Sequence, residues 1–147
     1  MNIPYYIQEK EWYCGPAVMQ MALAACGIKK TQGQLAKALG TKNDNIGTKN
    51  SAMVAVAKQY GLLETSKEKK SIKELTKYLA TGKIIIVSHF YEPDQTGHFA
   101  VVKKITKKAI ILLDPEAGPS KTYSFANFKK IWHDNEGTRG WFLVIKR

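Results

Sequence analysis

Three apolar runs follow one another in the second half of the chain: "KIIIVSHF" (83–90), "HFAVVKKI" (98–105) and "AIILLD" (109–114). Each is rich in Ile and Val, is strand-sized, and is bounded by turn chemistry. "EPDQTG" joins the first pair and "TKK" the second. Connections this short join antiparallel strands, because a parallel crossover takes a dozen or more residues. The second half is therefore an antiparallel sheet, and something must cover it.

The first half supplies the cover. Val18, Met21, Ala22 and Ala25 recur at helical spacing behind Gly15 and Pro16, and Gly27 ends the run. "TQGQLAKALG" has Thr31 and Gln34 in capping-box spacing and stops at Gly40. "NSAMVAVAKQYG" predicts a third helix, capped by Asn50 or Ser51 and closed by Gly61. "SIKELTKYLATG" predicts a fourth, with Ser71 and Glu74 as a second capping box. "IPYYIQ" reads as a short strand or extended entry, "GLLETS" as a short strand, "TKNDNIGTK" as a polar loop and "DPEAGPSKTYS" as a Pro/Gly loop. "FANFKKIW" predicts a short helix and "GWFLVIKR" a last strand. The expected class is α+β: one domain over 1–147, with a helical lobe about 1–81 and a sheet lobe about 82–147.

At 147 residues the chain can bury its own core. No apolar run approaches the ~20 residues of a membrane span. No basic start leads into an apolar stretch at the N-terminus, so a cytoplasmic location is expected. Cys14 and Cys26 share one predicted helix, about 18 Å apart at 1.5 Å per residue, well beyond disulfide reach. Neither Cys-x-x-Cys nor helical His-x-x-x-His occurs, so neither a metal nor another cofactor is expected. The net charge is +11, almost all lysine, with Arg139 and Arg147 the only arginines. Nucleic-acid readers favour arginine forks and exposed aromatics, so the charge reads as a solvated lysine surface.

Cys14 is the candidate for chemistry. At a helix start its sulfur sits among unpaired N–H groups at the positive end of the dipole, where a thiolate is favoured. Cys26 lies at the opposite, negative end and is expected to be inert. A nucleophilic thiol needs a base, and the base an orienting group. His98 begins one strand and Asp114 ends the next. With Thr106–Lys108 as a three-residue loop, Ile105 faces Ala109 and Ala100 faces Asp114. His98 then shares a face with Asp114 as its diagonal neighbour. A register slip of one residue would send Asp114 to the other face. Gln8, six residues before the cysteine, can supply a side-chain oxyanion donor beside the Cys14 N–H. Trp12 and Tyr13, with Tyr5 and Tyr6, are candidates for lining a substrate groove. Tyr91 and Glu92 lead into a segment that could gate the site. His89, inside an apolar strand, reads as structural, and His133 carries no assignment.

Gln8, the six-residue step to Cys-Gly-Pro-Ala, then "GHFAVV" and "DPEAG" in that order resemble the bacteriocin-processing cysteine peptidases. These are papain-like domains, best known at the N-terminus of peptide-exporting ABC transporters, where they cut leader peptides after a double glycine. The resemblance spans nearly the whole chain. It implies a papain-like fold with Gln8 in the oxyanion hole, Cys14 as nucleophile, His98 as base and Asp114 as orienter. Many transporter-fused members carry an acidic residue before the cysteine, where this chain has Tyr13, and no Walker-type loop is present. A stand-alone relative acting on a peptide or protein is expected. The same residues would also serve acyl transfer to an amine, and the same fold could grip a peptide without cutting it.

Overall fold

The computed structural model describes residues 2–43 and 47–147; part of the "TKNDNIGTK" loop lies outside them. Among the described residues, five helices, α1 (Cys14–Ala25), α2 (Gln32–Leu39), α3 (Asn50–Gln59), α4 (Ile72–Ala80) and α5 (Phe125–Ile131), accompany six strands. The strands are β1 (Leu63–Lys67), β2 (Ile84–Tyr91), β3 (Thr96–Ile105), β4 (Ala109–Asp114), β5 (Gly118–Ser124) and β6 (Phe142–Ile145). They form one antiparallel sheet in the order β1-β6-β2-β3-β4-β5.

Helices cover both faces of this sheet. Ile84, Ile86, Val101, Leu113 and Leu143 pack with Val18, Met19, Leu35 and Met53 from α1, α2 and α3. Ile85, Val87, Val102, Leu112 and Val144 pack on the other side with Ile72, Leu75 and Phe128 from α4 and α5. A strand buried on both sides has no polar face to alternate with, which accounts for the unbroken "IIIV" of β2. The lobes are therefore not cut at residue 81: β1 belongs to the sheet, and α4 and α5 share its second face.

Several local expectations change. "DPEAGPSKTYS" is not simply a loop, because β5 occupies Gly118–Ser124. It lies at the sheet edge, where Pro119 removes no ladder hydrogen bond that an interior strand would need. "IPYYIQ" forms no strand. "EPDQTG" shrinks to a 3-10 turn at Glu92–Asp94, with Gln95 at a positive φ of 51°. Thr31 and Gln34 do form a capping box. Ser71 caps α4 by position only, without a side-chain bond, and the Glu74 carboxylate pairs with Lys67 at 3.2 Å. Lys49, not Asn50 or Ser51, takes the N-cap position of α3, with no side-chain cap. Asn50 donates to Asp134 instead.

The β3–β4 hairpin ends otherwise than the sequence suggests. Ile105 pairs with Ile110 rather than Ala109, an offset of one residue. A bulge between Val102 and Lys104 removes it, and Val102 pairs with Leu112 and Val101 with Leu113. Continued one step, that register sets Ala100 opposite Asp114.

Candidate active site

α1 begins at Cys14, with Tyr13 as its N-cap. Its first turn is tight. A Cβ on Gly15 would fall 2.3 Å from the Thr48 hydroxyl, which is itself 2.6 Å from the Thr41 hydroxyl. Only a glycine lets the helix start sit this close to the 47–49 segment. Pro16, in the first turn, sacrifices no intrahelical hydrogen bond.

The strand register brings His98 to Asp114. Nε2 of His98 donates to Oδ1 of Asp114 at 2.8 Å. Cys14 lines the same cleft as the ring and acts on its charge. Tyr91 stacks on His98, with ring centroids 4.8 Å apart and planes 25° from parallel. Asp114 is fully buried. Its Oδ1 also accepts from the N–H groups of Glu116 at 2.8 Å and Ala117 at 2.9 Å, and its main-chain carbonyl accepts the Tyr5 hydroxyl at 2.6 Å.

Charge follows from these contacts. Burial alone would depress the pKa of His98. The Asp114 hydrogen bond and Cys14 outweigh burial and raise it to about 10, so the ring is an imidazolium at neutral pH. Burial likewise works against the Asp114 carboxylate, but His98 and the two N–H donors lower its pKa overall. Burial pushes the Cys26 thiol up. Its sulfur lies 3.4 Å from the Lys146 carbonyl, in a contact remote from this cluster.

Gln8 is anchored in the segment before α1. Its N–H donates to the Pro115 carbonyl at 2.8 Å, and Nε2 to the Glu11 carbonyl at 3.0 Å. Oε1 is buried without a hydrogen-bond partner. Cys14 and His98 open onto a cleft of about 870 Å³, lined also by Trp12, Thr48, Thr96, Phe99 and Trp141. Trp12 thus reaches the cleft. Tyr13 does not line it: 9% exposed, it packs edge-on against Trp12 instead. Tyr5 and Tyr6 pack against the first core rather than along the cleft.

His89 was the residue hardest to value from sequence. It is fully buried, directly opposite His98 in the β2–β3 ladder, with Nε2 4.0 Å from Oδ2 of Asp114. Cross-strand counting over a tight "EPDQTG" connection was the one available signal. Burial and the neighbouring His98 lower its pKa to about 4. Between about pH 4 and its ordinary 6.5 the unfolded chain binds a proton that folded His89 refuses, so stability falls as pH falls through that window. His98 acts in the opposite window: its contribution is complete below 6.5 and is lost as pH rises towards 10. The thermal midpoint should peak near pH 6.5, with the acid slope lessened in His89→Leu. A midpoint unchanged from pH 4 to pH 10 would contradict both assignments.

Helices packed on a six-stranded antiparallel sheet are the fold of C39 peptidase domains. Residues 1–139 match the family model described as the Peptidase_C39 like family, and the chain belongs to that family. The fold is similar to that of the peptidase domain of Streptococcus ComA, a bi-functional ABC transporter involved in quorum sensing. The TM-score is 0.76 at 20% identity, over 99% of this chain and 100% of that one. It is also similar to a double glycine motif protease from an AMS/PCAT transporter, solved in complex with the leader peptide. There the TM-score is 0.69 at 19% identity, over 99% of this chain and 93% of that one. A protein of Methanothermobacter thermautotrophicus with no assigned function is 26% identical over 112 residues, covering 76% of this chain and 71% of that protein. Among the described residues, no helix is long and apolar enough to cross a membrane.

Proposed function

We propose that this chain is a cysteine peptidase that cleaves a peptide or amide bond through a thioester on Cys14. The observation that carries the reading is the 2.8 Å hydrogen bond of His98 to Asp114, with Cys14 and His98 opening onto one cleft. His98 holds the proton taken from the Cys14 thiol as an imidazolium, and the thiolate attacks the substrate carbonyl carbon. The backbone N–H of Cys14 and the second amide hydrogen of Gln8 receive the developing oxyanion. The tetrahedral species collapses with loss of the amine, which leaves with the proton from His98. Water, deprotonated by His98, then attacks the thioester and releases the acid and the Cys14 thiol. Asp114 holds the imidazolium in position throughout.

An extended peptide is the substrate class the cleft suits. The similar transporter protease was solved with a leader peptide, and a leader-like segment is the proposal for this chain. Although the net charge is +11, the cleft carries Glu11, Glu68, Asp134 and Glu136 against Lys49 among its described lining residues. A peptide with basic residues beside the scissile bond should be cut faster than its acidic counterpart, and added salt should narrow the gap. Equal rates at low salt would remove this preference.

Mapped alkylation tests the nucleophile without a known substrate. At pH 7 iodoacetamide should modify Cys14 at least about tenfold faster than Cys26, and His98→Ala should slow Cys14 alone. Equal, slow labelling of both thiols would falsify the assignment.

A further inference from the structure

The Asp114 carboxylate is used unevenly. Oδ1 accepts three hydrogen bonds, from His98, Glu116 and Ala117. Oδ2, equally buried, has no hydrogen-bond partner among the described residues. The polar atom facing it is Nε2 of His89, 4.0 Å away and also without one. Nδ1 of His89 contacts the Phe90 carbonyl at 3.2 Å. A carbonyl can only accept, so Nδ1 bears the proton, and the neutral ring presents a bare lone pair at Nε2. Two acceptors thus face each other in a buried site, an arrangement that costs free energy unless a donor joins them. A separation of 4.0 Å is one that a single water, donating a hydrogen to each with bonds of about 2.8 Å, can span.

We propose that His89 is a positioning residue of this site. From β2 it holds the second oxygen of Asp114 through one buried water, and so fixes the carboxylate plane that Oδ1 presents to His98. The ring is well placed for this. Tyr91, Tyr123 and His98 meet it edge-on and Phe128 at a tilt, with centroids 5.5 to 6.5 Å away. The titratable groups around it are Asp114 and His98, Tyr91 on its own strand and Tyr123 on β5, with Lys121 acting through its charge. Tyr123, raised to about 12 mainly by burial, stays neutral. The imidazolium of His98 and the cation of Lys121 both oppose a second positive charge here. His89 therefore stays neutral, an acceptor for the water rather than a rival for the carboxylate.

The inference rests on His98 being the base for Cys14, so its test includes that premise. Cys14 alkylation by iodoacetamide is followed from pH 5 to 10 in the wild type, His89→Gln, His89→Leu and His98→Ala. His89→Leu leaves Oδ2 with nothing to hold the water. It should slow Cys14 about tenfold at pH 7 and draw the alkaline limb of the profile, set by His98, to lower pH. His89→Gln, whose amide can reach Oδ2 directly, should recover most of the rate. If His98→Ala slows Cys14 while the His89→Leu profile matches the wild type, the positioning role falls and the base assignment stands. If Gln and Leu are equally slow, His89 only packs, and the role falls as well. If His98→Ala leaves Cys14 unchanged, both fall. Histidine nitrogen NMR on the wild type makes the test independent of variant folding. His89 should be protonated at Nδ1 and bare at Nε2 at pH 7, and a proton found on Nε2 would overturn the strut.

Discussion

Cys14→Ala should bring peptide turnover to background, a loss on the order of 10⁴-fold or more, while the fold survives. The magnitude reflects what is removed. Without the sulfur no thioester forms, and only substrate positioning and the oxyanion donors remain. The fold should tolerate the change because Cys14 is the first residue of α1 and only half-buried. Its sulfur contributes little to the core, and alanine is at home in a helix. Cys26→Ala serves as the control and should keep activity within about twofold. Turnover in Cys14→Ala within tenfold of wild type, with an unchanged melting curve, would end the nucleophile assignment.

The second large effect should come from Asp114, where two substitutions separate chemistry from architecture. Asp114→Ala removes an acceptor that satisfies His98 Nε2 and two main-chain N–H groups. It leaves His98 buried as an imidazolium that has lost its counter-charge, and takes the acceptor from two main-chain N–H groups of exposed residues. The cost should be about 3–5 kcal/mol of stability, with activity lost as well. Asp114→Asn keeps the shape. Its carbonyl oxygen can take the place of Oδ1 and accept the same three donors, and its amide can point at the bare nitrogen of His89. Stability should therefore drop far less, yet turnover should still fall by about 10⁴-fold, because a neutral amide no longer stabilises the imidazolium. Chemical denaturation and single-substrate kinetics on both variants decide the matter. An asparagine variant with near-native turnover would show that charge at this position is dispensable.

How far the sequence went depends on which residue is asked about. Cys14 was legible because helix-start chemistry is local: Gly15, Pro16 and the periodic apolar residues all lie within a dozen positions. The His98–Asp114 pair was legible through strand parity. That parity was counted over a three-residue loop, and the chain reaches the same pairing at Val102–Leu112 by another route, a four-residue hairpin end corrected by a bulge. No local feature of "VVKKITKKAI" announces that bulge. β5 was missed because Gly118 and Pro119 read as loop residues, and only its position at the sheet edge makes them tolerable. In place of the capping box at Ser71, Glu74 makes a tertiary ion pair with Lys67. His89 was undervalued for a similar reason. An isolated histidine in an apolar strand is usually filler, and its meaning depends on what two neighbouring strands place against it.

The position of β6 has a temporal consequence. Phe142–Ile145 lies between β1 and β2, so the segment synthesised after the cysteine, the histidine and the aspartate is the one that joins β1 to the rest of the sheet. Its Leu143 and Ile145 also complete the core beneath α1. Until they leave the ribosome, β1 has no partner in the sheet and α1 packs on an unfinished surface. Pairings this distant in sequence form late and slowly. Assembly of the sheet around the thiol centre thereby waits for β6. A nascent chain that carries Cys14, His98 and Asp114 but not yet β6 lacks part of the sheet and core on which they are mounted.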